Sequence, residues 1–378
     1  MIKSKHYPIL LVALVLVVIW FSSSPRTNGF VIGVIGPLSG SASQYGISQK
    51  NGVQLAVDLI NTSGGIRGKQ VRVLFYDDEN DKIKAAEAAR DAIYRDRAVA
   101  LIGAINSDNT LNIQRLCEQA QVPVITAVST NPFITRTGYR YTFRCLSDDN
   151  IQAQELAQYA YRTMNIRSLA VIHDNNRYGA EGARTYQRFS ARLGQNVTAM
   201  EGYAGGALNF RPQLERIRRT NPQGLLVWGL YQESALIVRQ AREMGLSIPI
   251  FGGDGMAISS FVDLAGIHAD GVVLTYPFYP PRGGDSARQF IKEYSAAFGS
   301  EPDSFSAHAY DAAMLIRDAI DRSDGTGPGI RGALAGIREY NGVTGKGGLD
   351  EFGNETRPVL LAQIQGGTFV PLISGGQL

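Results

Sequence analysis

The sequence predicts an α/β protein made of two doubly wound parallel-sheet lobes. Three observations carry that expectation. From Phe30 onward, short apolar runs alternate with stretches of helical spacing. The alternation restarts after "YRYTFRC", near Cys145–Asp148. Polar residues gather just past the ends of the strand-like runs, where parallel sheets place their ligands.

The first unit begins with the buried strand "FVIGVIG" (30–36) and a Gly/Ser loop. Val53, Ala56, Val57 and Ile60 then fall at i, i+3, i+4, i+7, which is helix spacing. "VRVLFYDD", "AVALIG" and "VPVITA" read as strands, separated by the helical stretches "DKIKAAEAARDAIY" and "LNIQRLCEQAQ". In the second unit the strands are "SLAVIHD", "VTAMEGY", "GLLVWGL" and "IPIFGG". Helices are expected near 150–164, 179–193, 210–219 and 232–244. "GVVLTYPFYP" is a further strand, followed by helices near 285–298 and 306–321. The end of the chain, from "GLDEFGNE" to "FVPLI", reads as a small antiparallel finish with Gly turns. Strand–helix alternation on this scale means parallel sheets covered by helices.

Composition narrows the function. The 378 residues are too many for one ordinary core. Lys and Arg number 37 against 34 Asp and Glu, with no basic block, so nucleic acid is not suggested. His6, His173, His268 and His308 lie far apart without Cys partners, so no metal or other cofactor is expected. Cys117 and Cys145 are the only cysteines; a disulfide is open to an exported chain, and two buried free thiols are the simpler reading.

The N-terminus differs from the rest. Lys3 and Lys5 precede the apolar run "ILLVALVLVVIWF" (9–21), and "SSSPRTNG" follows. This describes a secretory signal over residues 1–29, or an uncleaved tether through 9–21; either way the body is exported. The triplets at Asn61, Asn196 and Asn354 fit surface turns, and "RPQLERIRRT" (211–220) a solvated helix face.

Enzyme equipment is missing: "GVIGPLSG" after the first strand lacks the G-x-G-x-x-G spacing of a dinucleotide site, and no phosphate loop or G-x-S-x-G elbow occurs. His173 and Asp174 read as a strand-end pair. The chain is therefore expected not to be an enzyme. Instead, Tyr45, Ser107, Ser129, Thr130, Tyr178, Tyr231 and Asp254 each follow a strand-like run. In "GAINSDNT" (103–110) a buried strand runs straight into a helix, whose free N–H groups suit an anion. Ser107 and Thr130 with their neighbouring N–H groups suit a carboxylate, although Ser107 or Asp108 also fits an ordinary N-cap. Asp254 suits an ammonium group, and also fits a turn between Gly253 and Gly255. Tyr45, Tyr178 and Tyr231 would wall the pocket. A ligand with both charges a few ångströms apart is an α-amino acid.

The chain resembles the leucine/isoleucine/valine-binding family, the substrate-binding proteins of amino-acid ABC transporters with the type I periplasmic binding fold. The resemblance lies in four stretches: "IGPLSGSASQYGISQKNGVQLAVDLINTSGGIRGKQVRVLFYDDEND", "VPVITAVSTNPFIT", "AVIHDNNRYGAEGARTY" and "AREMGLSIPIFGGDGM". It implies two lobes joined by a multi-strand hinge, 30–146 plus 277–335 and 147–276 plus 336–378. It also implies an extracytoplasmic solute-binding protein. Such a protein captures an amino acid, branched-chain or related, between closing lobes and delivers it to an ABC transporter permease. On this reading Ser107 and Thr130 hold the carboxylate and Asp254 the ammonium. Tyr45, Tyr178 and Tyr231 are the aromatic positions, the Val128 and Ser129 backbone shares the polar contacts, and Phe305 closes the side-chain end. A monomer is expected, on the periplasmic or extracellular face of the membrane. The same fold also serves ligand-sensing receptor modules for amino acids or amides that work through a partner protein.

Overall fold

The computed structural model describes residues 29–372; the apolar run 9–21 and the expectations placed on it lie outside the described residues. Two parallel sheets form the frame. The first comprises β1 (Phe30–Gly36), β2 (Val71–Asp77), β3 (Ala100–Ile102), β4 (Val124–Thr126) and β5 (Thr142–Arg144), in the order β2-β1-β3-β4-β5. The second contains β6 (Ser168–Asp174), β7 (Asn196–Tyr203), β8 (Gly224–Trp228), β9 (Ile250–Gly252) and β10 (Val273–Tyr276). It is extended by β13 (Leu360–Gln365) and β14 (Thr368–Leu372), giving the order β14-β13-β10-β9-β8-β6-β7. The parallel strands of both sheets follow the same pattern: the second strand lies outside the first, and the third lies on the other side. The order therefore reverses between β1 and β3 and between β6 and β8, and ligands of such sheets bind at that reversal.

Most central strands are apolar throughout because helices cover both faces: every residue of β3, β4 and β8 is buried. On the first sheet these helices are α1 (Ser43–Thr62), α2 (Lys82–Arg90) and α3 (Ser107–Ala120). On the second they are α4 (Asp149–Gln158), α5 (Arg177–Arg192), α6 (Arg211–Arg219), α7 (Tyr231–Glu243) and α8 (Ser259–Ala265). The Arg-rich α6 buries Leu214 and Ile217 and turns Arg216 outward to Glu201.

After β10 the chain returns to the first lobe as α9 (Pro280–Phe298), α10 (Ser304–Asp321) and α11 (Gly327–Ala335). Helix α10 packs tightly on α1: a Cβ at Gly52 would stand 2.1 Å from the Ser306 carbonyl oxygen. The hairpin β11 (Tyr340–Gly342) and β12 (Gly345–Gly347) lies against α9, and Asp311 of α10 accepts hydrogen bonds from Val343 and Thr344. This hairpin therefore stays with the first lobe, although sequence reading gave all of 336–378 to the second. Only then does the chain pass to the antiparallel pair β13–β14.

Three passages thus join the lobes: after β5, after β10, and between β12 and β13. Arg144, at the end of β5, pairs with Asn354 of the third passage in a β-bridge. Asn354 is accordingly buried, with its side-chain oxygen held by Arg144, and is not the surface turn its Asn-x-Thr triplet suggests. Cys117 and Cys145 are buried free thiols.

Candidate functional site

The site is built where the strands end. After β3, Gly103 adopts φ +132°, and a Cβ there would sit 2.3 Å from the Ile35 carbonyl oxygen. Only glycine tolerates both conditions, and the turn it makes feeds the chain into α3. The cap of α3 is Asn106, whose side chain accepts from the Asp108 N–H at 3.2 Å. Neither Ser107 nor Asp108 caps the helix. The buried Ser107 is the first helical residue, and its hydroxyl accepts a long hydrogen bond from the Asn131 N–H at 3.4 Å. The unpaired N–H groups of the first turn and the helix dipole favour negative charge beside it.

The loop after β4 forms the adjoining wall. The Thr126 hydroxyl draws in the N–H groups of Val128 and Ser129, at 3.3 and 3.0 Å. The Ser129 hydroxyl donates to the Ile105 carbonyl at 2.8 Å and lies 2.6 Å from the Thr110 hydroxyl. Under the loop lies Arg144, fully buried. Its guanidinium donates to the Asn131 carbonyl at 2.7 Å, to that of Ser129 at 3.4 Å and to the Asn354 side chain. It also pairs with Asp148. A cation thus braces the loop from behind. Thr130 differs from its neighbours: its buried hydroxyl has no hydrogen-bond partner among the described residues.

The second lobe contributes the opposite wall. Asp254 follows β9, and its N–H donates to the Gln152 side chain at 3.2 Å. One carboxylate oxygen accepts from the Tyr178 hydroxyl at 3.1 Å; the other is buried without a partner. The flanking glycines permit this approach, because a Cβ on Gly253 or Gly255 would meet the Tyr178 hydroxyl at 2.9 or 3.0 Å. Burial pushes Asp254 up to about 6, opposed by its hydrogen bonding with Gln152 and Tyr178. Such a group is poised to gain from a cation.

The walls meet. The Tyr45 hydroxyl, from α1, donates to the Gly255 carbonyl at 2.5 Å and accepts from the Tyr231 N–H at 2.8 Å. On the other side Asp108 accepts from the Arg177 N–H at 2.9 Å, while Asn131 donates to the Arg177 carbonyl at 2.8 Å. Between these contacts lies a small cavity. Ser107, Thr130 and Asp254 bring polar groups to it; Tyr45, Ile105, Val128, Leu230 and Phe305 make the rest largely apolar. Phe305 and Tyr45 pack edge to face with ring centroids 4.8 Å apart.

A family model for periplasmic binding proteins matches residues 30–368. The chain belongs to the periplasmic binding protein family. A Leu/Ile/Val-binding protein of Escherichia coli K12 is 30% identical over 257 residues, 68% of this chain and 70% of that one. A leucine-, isoleucine-, valine-, threonine-, and alanine-binding protein of Pseudomonas aeruginosa is 27% identical, covering 88% of this chain and 89% of its own. Among solved structures, the isoleucine complex of the branched-chain amino acid transporter substrate binding protein LivJ from Streptococcus pneumoniae superposes with a TM-score of 0.86. It is 27% identical, with 91% of this chain and 99% of that one covered. These relatives are solute-binding proteins.

In this periplasmic binding protein, eight of the nine residues singled out from the sequence surround one cavity: Tyr45, Ser107, Val128, Ser129, Thr130, Tyr178, Asp254 and Phe305. Tyr231 does not. Its ring packs edge to face on Tyr45 behind the wall, and Leu230, one residue earlier, takes the lining position. The N–H groups of Val128 and Ser129 face Thr126 instead of the cavity, so those two residues shape the loop. Ile105, Asn106, Leu230 and Gly255 line the space without having been foreseen. Asn106, Leu230 and Gly255 are each next to a residue that was, and Ile105 lies two before Ser107, so the missing signal was local register. His173 stands apart, its ring bonded to the Asp174 carbonyl. No cluster of three or more His, Cys, Asp or Glu able to hold a metal occurs among the described residues.

Proposed function

We propose that the cavity takes a free α-amino acid with an aliphatic side chain, branched-chain or related. The observation that supports this most is the facing of two unlike walls. A helix start with the Ser107 hydroxyl suits a carboxylate, and the buried, half-paired Asp254 suits an ammonium group. The apolar remainder, Leu230, Ile105, Val128 and Phe305, suits a hydrocarbon side chain. The relatives named above bind amino acids of that kind.

In this reading the lobes, 30–146 with 277–347 and 147–276 with β13 and β14, rotate about the three passages. The solute stabilises the closed arrangement by binding it better than the open one. The closed form is then presented to an ABC transporter permease outside the cytoplasm, the chain having been exported by its N-terminal segment. Catalysis plays no part. A thermal-shift screen with the twenty amino acids tests the reading, because a ligand that binds only the folded state raises the melting temperature by mass action. Leucine, isoleucine, valine or alanine should give the largest rise. No rise with any amino acid, alongside a rise with a solute lacking an amino group, would refute it.

A further inference from the structure

A second buried carboxylate stands beside the first. Asp149 opens α4 and is fully buried, and neither of its carboxylate oxygens has a hydrogen-bond partner among the described residues. It is not needed as the helix cap: Asp148 does that, accepting from Asn150 and Ile151 at 3.0 and 3.2 Å. Asp149 does not line the cavity, but its N–H donates to the Thr130 carbonyl at 2.9 Å. Thr130 and Asp254, which do line it, each carry a buried unpartnered oxygen of their own. Four buried oxygens without partners thus belong to three neighbouring residues, two of which line the cavity. Isolated buried polar oxygens of this kind are costly.

The charged and titratable groups around the pair can be named. Burial acts most strongly on Asp149 and raises it; Asp254 and Asp148 push the same way, while the nearby Thr130 hydroxyl and Arg144, at the end of β5, favour its ionised form. Around Asp254 stand Tyr178 of α5, Gln152 of α4 and, from the first lobe, Tyr45. Asp149, Gln152, Tyr178 and Asp254 all belong to the second lobe, so opening the cleft leaves the pair together. Arg144, which also pairs with Asp148, thus faces more negative charge than it balances. Burial raises both carboxyls, Asp254 raises Asp149 further, and both carboxylates raise Tyr178.

Building on the amino-acid reading above, we propose that Asp149 and Asp254 act as one acid pair, retaining a proton while the site is free and surrendering it to solvent when the ligand's ammonium group takes its place. Asp149 is a positioning residue, acting through Thr130 and Asp254. With Asp149 ionised, the Thr130 hydroxyl turns its hydrogen towards that carboxylate and its lone pairs towards the ammonium. Thr130 then belongs to the ammonium end of the site, and the ligand carboxylate is left to Ser107 and the helix start. The three N–H bonds of a primary ammonium match this acceptor set better than a hydroxyl or a methylated amine.

Calorimetry of L-leucine binding near pH 6, in two buffers of different protonation enthalpy, reads the released proton directly. The wild-type protein should show a buffer-dependent heat equivalent to release of a substantial fraction of one proton. Binding of leucine with no buffer dependence would overturn the pair. Failure to bind leucine or any other amino acid would instead overturn the amino-acid reading itself. In Asp149→Asn the released proton should vanish and leucine affinity should fall about tenfold, the scale of one lost charged partner. Affinity for 2-hydroxy-4-methylpentanoate, which has no ammonium, should change much less. An Asp149→Asn protein that binds leucine as wild type does and still releases the proton would refute the assignment. If that variant does not fold, Thr130→Val serves in its place: it should weaken leucine binding more than 2-hydroxy-4-methylpentanoate binding, and equal losses for both would refute the assignment.

Discussion

The two walls of the cleft are built on opposite principles. On the first lobe, polar groups are mostly paired with the protein itself. Ser129 is bonded to Ile105, the Val128 and Ser129 N–H groups to Thr126, and the carbonyls of the loop to Arg144. On the second lobe the decisive groups are unpaired: one oxygen of Asp254 and both of Asp149. The first wall is therefore finished before a solute arrives, whereas the second is completed by one. Damage to the first should appear as lost protein stability, and damage to the second as lost affinity, with the ligand-free protein unharmed or even stabilised.

Arg144 offers the largest test of the finished wall. Replacing it with Met strands Asp148 and leaves the carbonyls of Asn131 and Ser129 without their donor. Breaking a buried pair on one side typically costs about 3–5 kcal/mol. Arg144→Met should lose that much in urea denaturation without ligand. A loss below about 1 kcal/mol would show that the loop does not depend on its cation.

Asp254 provides the contrast. Asp254→Asn should weaken amino-acid binding by about 2–5 kcal/mol in calorimetry, the cost of truncating one side of a buried charge pair. Its effect on the free protein should have the other sign. Burial lifts this carboxyl to about 6, against about 3.9 for an unfolded Asp. A carboxyl raised by folding binds its proton more tightly in the folded state. Its contribution to stability is thus fully present below about pH 3.9 and is lost as pH rises through about 6. Above that, the ionised group burdens the ligand-free fold by about 3 kcal/mol. Ligand-free Asp254→Asn should therefore melt above wild type at pH 7.5, and the gap should close towards pH 4. Equal melting at both values would place Asp254 in a more solvated setting than the closed cleft.

These contrasts also explain which parts of the molecule could be read in advance. Strand and helix alternation is a local signal, and the two matching strand orders follow once each helix must cover a parallel sheet. Ser107, Thr130 and Asp254 were legible because strand ends are where such sheets expose polar groups. Asp149 was not, since "SDDN" at a helix start reads as a cap, and Asp148 does serve as one. What sets Asp149 apart is its nearness to Asp254, which only tertiary packing creates. Tyr231 was misplaced for a smaller reason. At the start of α7 one residue of register decides which side chain faces the cleft, and Leu230 has that position. Asn354 was misread because its triplet carries no trace of the buried Arg144 that claims it.

Between the two walls lie weaker contacts, and they grade the comparison downwards. Ser107 belongs to the first wall yet faces the cavity, so Ser107→Ala should cost about 1–3 kcal/mol of amino-acid binding, the range for a buried polar group left unpaired. It should change stability far less than Arg144→Met does.

The smallest effect belongs to the bridge over the cleft. Arg177 and Asp108 approach to 3.5 Å, but the arginine side chain is 65% exposed. Exposed ion pairs contribute about 0–1 kcal/mol. Two further bonds at the same place use the Arg177 backbone: its N–H to Asp108 and its carbonyl from Asn131. Arg177→Ala keeps both and should change affinity by less than about 1 kcal/mol. Asp108→Ala removes the acceptor of the backbone N–H as well, so it should weaken closure more than Arg177→Ala does. Equal losses in the two variants, both vanishing at high salt, would mean that charge alone spans the cleft. A larger loss for Asp108→Ala that survives salt would assign the bridge to the backbone bond.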